Sequence, residues 1–382
     1  MRRASTTRQL LGGLTHDGFL ARHWQREPLF VKAAIDPAEL ALDVDILRDW
    51  SKRDDVESRL VHRRGRRWGL EQGPLDSWPT TPRDWTVLIQ GANLLDPAVD
   101  RLLDRFRWLP HARIDDIMIS HAATGGGVGP HLDSYDVFLV QGFGTRRWRV
   151  GPVAEPEWVA DAPLKLLANF EADAEYLCEP GDLLYVPPGW GHDGVALEPC
   201  TTWSVGFRAP SNQELVGEFL TTLSDDLQID GRYGDPGLKA PREPARVPDA
   251  MVDALATALA QVRWTRDDLA AFMGEYLSDP KATTMFRPAT RRIGPSAFKA
   301  QALRHGIALD AATRMLYDRQ RVFVNGQPFD ASDEDRRFLR ALADRRRADP
   351  VDIADCPTPT LAALHDWYLS GWIHLGNRSS ER

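Results

Sequence analysis

Cysteine is scarce, with Cys178, Cys200 and Cys356 scattered through 382 positions. Three thiols so far apart support neither a disulfide framework nor a zinc knuckle, and they suit a reducing compartment. Long apolar runs are missing as well. No stretch approaches the roughly 20 apolar residues of a membrane span, and no apolar segment of signal-peptide length follows the basic opening MRRASTTRQLLGGL. Positive charge is in deficit, 47 Lys and Arg against 55 Asp and Glu, for a net charge of −8. That balance argues against an electrostatic grip on naked nucleic acid or anionic membrane, and it suits a basic protein as partner. The expectation is a cytoplasmic protein with no membrane association and no direct nucleic-acid contact. Several chemistries leave no trace: there is no P-loop, HExxH, nucleophile elbow or convincing dinucleotide fingerprint. The run GGGVGP at 125–130 is a poor phosphate loop because it leads into a strand and not a helix. Repeats and low-complexity tracts are also missing.

What is present is ordinary in bulk. An apolar content of 43% with 27% charged residues fits a soluble globular chain long enough for two or three domains. From about Asp17 to Trp108 helical patterns dominate, with short strand candidates PLFVKAA and WTVLIQG. Between Arg113 and Arg208 the pattern changes to short β-rich runs divided by Gly and Pro, as in a barrel or sandwich. These runs are RIDDIMIS, DVFLVQ, RRWRV, GDLLYVPP and CTTWSVGFR. Helical pattern returns at NQELVGEFLTTLSDDL, followed by the Pro/Gly-rich link DGRYGDPGLKAPREPARVP. Further helices are expected at MVDALATALAQV and RDDLAAFMGEYL. The tail mixes helices with the Asn-Gly hairpin signal in VFVNGQPF, as a small α+β module would.

The segment GGGVGPHLDSYDVFLV places His131 and Asp133 two residues apart at the mouth of a strand. Alternate strand residues share a face, so both side chains reach one point, and the glycines offer a flexible approach. A third ligand comes from GDLLYVPPGWGHDG, where Gly181, Pro187 and His192 have the G-x5-P-x4-H spacing of a second cupin motif. Gly125, His131 and Asp133 match the first motif, whose usual glutamate is missing, since Val137 and Phe138 occupy that region. Two imidazoles and one carboxylate leave about three positions of an octahedral ion open, the facial arrangement of non-haem Fe(II) oxygenases. An isolated His-x-Asp is usually a surface pair; the strand context and the Pro-spaced His192 favour the metal. His62 and His305 have no such company and are expected to be structural or solvated.

An Fe(II) oxygenase draws two electrons from a cosubstrate such as 2-oxoglutarate, whose distal carboxylate needs a cation. Arg146 is the candidate. Alternation puts Arg146 and Trp148 on one face of RRWRV and Arg147 and Arg149 on the other; a solvated edge is the alternative. In RIDDIMIS, Asp116, Met118 and Ser120 share a face, so Ser120 can donate to the diacid and Asp116 can receive a cationic substrate. Thr202, Ser204, Gly206 and Arg208 form a polar face opposite Thr201, Trp203, Val205 and Phe207.

Together RIDDIMIS, GGGVGPHLDSYDVFLVQG, RRWRVG, EPGDLLYVPPGWGHDG and WSVGFRAP resemble the JmjC-type bacterial ribosomal oxygenases of the cupin superfamily. Those enzymes hydroxylate an arginine of large-subunit ribosomal protein L-sixteen at its β-carbon. The resemblance implies a mixed α/β (α+β) architecture: a double-stranded β-helix, the JmjC/cupin jelly-roll, then a helical dimerisation region and a C-terminal winged-helix module. The expected divisions are 1–212, 213–290 and 291–382. It also implies Fe(II), 2-oxoglutarate and O2 as cofactor and cosubstrates, a homodimer, and His131, Asp133 and His192 as iron ligands. Arg146 and Ser120 would hold 2-oxoglutarate, and Asp116, Tyr135, Ser204 and Arg208 would line the substrate-arginine pocket. Tyr135 continues the His131, Asp133 alternation. His121, in SHAATGGG, receives no role. The alternatives are a 2-oxoglutarate oxygenase acting on another protein residue, by histidine hydroxylation or methyl-lysine demethylation, and a cupin metal enzyme that does not use 2-oxoglutarate. A non-catalytic module that binds nucleic acid through the winged helix is a third, disfavoured by the acidic balance.

Overall fold

The structure, a computed structural model, describes residues 10–376; the first nine residues of the basic opening lie outside it. Twelve strands build the N-terminal half: β1 (Leu29–Val31), β2 (Ser58–Arg64), β3 (Arg67–Gln72), β4 (Trp85–Ile89), β5 (Ile114–Ala122), β6 (His131–Leu132), β7 (Val137–Gln141), β8 (Arg146–Pro152), β9 (Ala174–Cys178), β10 (Leu183–Val186), β11 (Trp190–Ala196) and β12 (Cys200–Phe207). They form an eight-stranded sheet in the order β1-β10-β7-β12-β5-β4-β2-β3 and a four-stranded sheet in the order β6-β11-β8-β9. Val137, Leu139, Leu184 and Val186 of the large sheet pack against Trp148, Val150 and Cys178 of the small one. The outer face of the large sheet carries Ile117, Ile119, Phe138, Val140, Tyr185, Trp203, Val205 and Phe207. Phe19, Trp50, Leu102 and Phe106 from the N-terminal helices and loops cover that face. Strand alternation thus gives the large sheet one sealed face and one that fronts the small sheet.

Two expectations need correction here. The segment 17–108 is less helical than its pattern suggested, because SRLVHRRGRRWGLEQ forms the β2–β3 hairpin at the sheet edge. Its exposed arginines dilute the period-2 apolar signal that marks a half-buried strand. The glycine run is not a flexible approach either. The Gly125 N–H donates to the Ala196 carbonyl at 2.7 Å, and the Ala196 N–H donates to Gly126 at 2.9 Å. A Cβ at Gly126 or Gly127 would collide with the carbonyl oxygens of Trp85 and Gly194. The glycines permit close backbone packing, and the strap is fixed.

Beyond β12 come the helices Asn212–Asp226, Asp249–Leu259 and Arg266–Ser278. Capping boxes start the first and third, Ser211 with Glu214 and Thr265 with Asp268. A second core gathers Phe298, Leu309, Val322, Val324, Leu339, Leu364 and Ile373 around two three-stranded sheets. Asn325 and Gly326 make the expected hairpin turn, both at positive φ, 51° and 80°.

Candidate active site

β11 brings the two histidines together. His192 is the direct cross-strand partner of His131, and their rings lie 4.1 Å apart between centroids. That pairing required β11, a strand hidden in the sequence because Pro187 and Pro188 suggest a loop where His192 sits. Asp133 follows β6 at once, with its Oδ2 3.6 Å from His192 Nε2. One ligand atom from each of the three residues lies within 4.8 Å of the others.

Backbone carbonyls fix the histidine tautomers. His131 Nδ1–H donates to Gly129 O at 2.9 Å, and His192 Nδ1–H donates to Trp190 O at 3.3 Å. The remaining nitrogen of each ring, Nε2, keeps its lone pair for the centre. Burial pushes the His192 imidazole down to about 4, and the neighbouring His131 adds to the effect. At neutral pH the ring is uncharged, the form a metal ion would take up. Two ring nitrogens and a carboxylate oxygen from one corner of the cleft suit a first-row divalent ion with open positions.

Arg146 faces inward from β8, 4% exposed. Its Nη1 donates to Ser120 Oγ at 3.4 Å, whereas Nε and Nη2 have no hydrogen-bond partner among the described residues. A buried guanidinium with two unused donor groups is costly unless an anion joins it, and a carboxylate matches its fork. Ser120 pairs with Thr202 across β5 and β12, and Met118 pairs with Ser204, so these inward residues share the Arg146 side of the large sheet. Gln141 of β7 pairs with Thr202 and accepts its hydroxyl hydrogen bond at 3.0 Å. The strand alternation therefore places Ser120, Ser204 and Arg146 as the sequence suggested.

The register shifts near the end of β12, where Val205 pairs with Ile117 but Phe207 pairs with Ile114. The extra residue on β5 is a bulge that presents Asp115 and Asp116 in succession. Gln90 Nε2 donates to both oxygens of Asp116, at 3.0 and 2.9 Å. Lys281 Nζ lies 3.0 Å from a carboxylate oxygen of Asp116 and 3.0 Å from one of Asp115. Asp115 also meets Arg314 Nη2 at 3.3 Å and Arg208 Nε at 4.0 Å. Gln90 and Lys281 were missed in the sequence. Gln90 merely ends an apolar strand, and a single lysine in a polar connection carries no local signal.

Tyr135 lies in the bend between β6 and β7, within electrostatic reach of Asp133 and Asp116. Its hydroxyl is pushed up by the surrounding protein, then by the charges of Asp133 and Asp116, although 39% of the residue stays exposed. The next residue, Asp136, is fully buried and anchors the start of β7. It accepts hydrogen bonds from Tyr185 at 2.6 Å, Arg113 at 3.0 Å and Gln25 at 3.1 Å. Tyr135 and Arg208 line a cleft of about 210 Å³ with Asp115, Glu214 and Tyr276. A larger cavity of about 980 Å³ lies between the N-terminal half and the C-terminal module; it is lined by Asp115, Asp116, Gln90, Lys281 and Arg314 but not by His131 or His192. His121 gains a role in packing: it lies 5.4 Å from Trp78, 5.7 Å from Trp85 and 5.9 Å from Phe143 between ring centroids.

Two family models match the chain, a JmjC domain over residues 101–215 and a ROXA-like winged helix over residues 261–374. The chain is 35% identical over 329 residues to the ribosomal protein uL16 3-hydroxylase of Escherichia coli (strain K12), covering 85% of this chain and 87% of that protein. It is 34% identical over 209 residues to a probable ribosomal oxygenase of Haemophilus influenzae, covering 53% and 52% of the two chains. Among solved structures, it resembles YcfD, a ribosomal oxygenase from Escherichia coli, in complex with cobalt and 2-oxoglutarate. The TM-score is 0.78 and the identity 33%, with 94% of this chain and 98% of that chain covered.

Proposed function

The chain belongs to the JmjC ribosomal oxygenase family of the uL16 3-hydroxylase, and we propose that it hydroxylates the β-carbon of an arginine in large-subunit ribosomal protein L-sixteen. It is an Fe(II)- and 2-oxoglutarate-dependent dioxygenase. His131, Asp133 and His192 would hold the iron, and the convergence of their ligand atoms is the observation that carries the reading. When bound, the metal with 2-oxoglutarate and O2 supplies the oxidising power: the keto acid leaves as succinate and CO2, and one oxygen atom enters the substrate C–H bond.

This chain's residues orient the reactants. Arg146, with Ser120 beside it, takes the distal carboxylate of 2-oxoglutarate and satisfies its unused donors. Asp116 receives the substrate guanidinium, which displaces the Lys281 ammonium. Tyr135 and Arg208 border the cleft by which the substrate enters, and Ser204 lies deeper on the same sheet face. The fixed strap 125–130 and the Asp136 anchor keep the triad from drifting as substrate enters.

The division at 212 and 290 is part of this reading; the separate second core, from Phe298 to Ile373, supports a distinct C-terminal module, on whose strands the helix Arg266–Ser278 also packs, Gly274 against Phe323. A homodimer is supported by apolar side chains left uncovered on the middle helices. Val216 and Leu220 are exposed on Asn212–Asp226, and Val252, Leu255 and Leu259 on Asp249–Leu259. Among the described residues no helix is long and apolar enough to cross a membrane. A ribosomal substrate sets the place of work in the cytoplasm. Incubation with Fe(II), 2-oxoglutarate, O2 and intact protein L-sixteen should add the mass of one oxygen to one arginine, with fragmentation locating it at the β-carbon. Succinate release with the oxygen on a histidine, or on another ribosomal protein, would refute the assignment.

A further inference from the structure

The chain's deficit of positive charge is not uniform. Residues 58–72, SRLVHRRGRRWGLEQ, hold five arginines and one acidic residue. The β2–β3 hairpin gathers four of those arginines at its tip, around Gly65 at φ 63°. Arg64 and Arg67 are direct cross-strand partners, both exposed. Arg63 is engaged, 3.4 Å from Asp84 and 5.6 Å from the Trp68 ring centroid. Arg64, Arg66 and Arg67 make no ion pair or side-chain hydrogen bond among the described residues. Like charges placed opposite each other destabilise a hairpin. A single charge is enough to protect a sheet edge from aberrant pairing, so the three guanidiniums left without an ion pair exceed what edge protection requires.

The tip lies next to the site. The Trp68 ring and Leu166 both border Gly129, whose carbonyl orients His131. Lys165, beside Leu166, is exposed, and so is Arg83, which bridges to Thr124 at the start of the glycine strap. The positive rim therefore runs from the hairpin toward the strap that feeds the metal ligands.

We propose that this hairpin docks the phosphate backbone of RNA, so that the enzyme engages its ribosomal substrate beside ribosomal RNA. The inference rests on the substrate reading above. Guanidinium forks match phosphate oxygens, and opposed arginines cease to repel when a polyanion lies between them. No large apolar side chain of the hairpin is exposed, so it offers nothing to insert into a lipid surface. The net charge of −8 opposes binding spread over the whole surface, and the hairpin concentrates attraction at one point.

The test is fluorescence anisotropy of a labelled 20-nucleotide RNA hairpin with the full-length protein across a salt series. The wild type should bind with a steep salt dependence. The triple variant Arg64→Ala, Arg66→Ala, Arg67→Ala should lower the slope by roughly 2–3 and weaken binding on the order of 100-fold at 0.1 M salt, at roughly 0.7–0.9 per phosphate contact. The matching triple lysine variant should retain most of the slope. Hydroxylation of free protein L-sixteen should be the same in all three proteins. The proposal is overturned if the wild type does not bind, if the alanine variant binds equally well, or if poly-glutamate or phosphatidylglycerol vesicles bind as tightly as RNA. Failure of wild-type hydroxylation would count against the substrate reading alone, since the RNA measurement does not depend on turnover.

Discussion

Lys281 gives the sharpest test of the substrate pocket, because its ammonium occupies the position assigned to the substrate's cation. It lies 3.0 Å from carboxylate oxygens of both Asp115 and Asp116. Burial works to lower its affinity for a proton, but the charges of Asp116 and Asp115 outweigh that and hold it above the ordinary lysine value. It is therefore charged throughout the working range of pH. The Lys281 side chain is 39% exposed and that of Asp116 9%, so solvent screens the lysine end of the pair. A contact of this kind contributes about 1 kcal/mol, near the top of the range for surface pairs. A competitor worth that much reduces the open fraction of the site roughly five-fold. Lys281→Met keeps most of the stem and removes the charge, so KM for an L-sixteen peptide should fall roughly five-fold with kcat unchanged. Thermal unfolding should drop by about 2–4 °C for a loss of about 1 kcal/mol in a domain of this size. Steady-state succinate release against peptide concentration reads the first effect, and calorimetry reads the second. A KM that is unchanged or raised in a folded variant refutes the idea that Lys281 holds the substrate's place.

Other consequences follow from the same geometry. Arg146→Met should raise the KM for 2-oxoglutarate by roughly 10–150-fold, the value of about 1.5–3 kcal/mol for hydrogen bonds to a charged group; unchanged dependence removes its anchoring role. His131→Ala should abolish both turnover and stoichiometric Fe(II) binding, measured anaerobically by calorimetry, and full binding by the variant would exclude His131 from the ligand set. Burial, with Arg146 nearby, pushes His121 down to about 4. Its contribution to stability is therefore complete above about pH 6.5, the unfolded value, and is lost as pH falls from there toward 4. His121→Phe should flatten the acid slope of stability by up to about 1.4 kcal/mol per pH unit, read from denaturant titrations at several pH values. The pair Leu255→Asp and Leu259→Asp should convert a dimer to a monomer by light scattering; a wild-type monomer contradicts the helical interface.

The candidate metal site was legible because its signal is local. His131 and Asp133 are two residues apart, one strand period, and an extended run that leaves β6 at Leu132 keeps both on one side. The same period placed Arg146, Ser120 and Ser204, whose strands have no irregularity where those residues sit. Legibility ended where position depends on long-range pairing. β11 is bounded by prolines and rich in glycine, so its identity as a strand comes from β6 and β8 on either side. The bulge in β5 has no sequence signature, yet it decides that Asp115 and Asp116 both reach neighbouring elements. His121 looked idle because nothing local links it to Trp78, 43 residues earlier.

The acidic pair also bears on why an oxygenase of this kind carries extra modules. Asp115 and Asp116 are consecutive, but their partners come from three parts of the chain: Gln90 and Arg208 from the catalytic half, Lys281 from the connection and Arg314 from the C-terminal module. Arg314 is held firmly, since its guanidinium also donates to the carbonyls of Ile114 at 3.3 Å and Asp115 at 3.4 Å. Among the described residues Lys281 has no such second tether, its hydrogen bonds being confined to the two carboxylates. An arriving guanidinium would therefore exchange with Lys281 while Arg314 remains. Arg314 keeps Asp115 partly neutralised, so the negative charge open to the substrate is concentrated on Asp116. On this reasoning the C-terminal module would shape the field of the proposed pocket through Arg314, away from His131 and His192, and its contact with the N-terminal half would belong to the proposed substrate site.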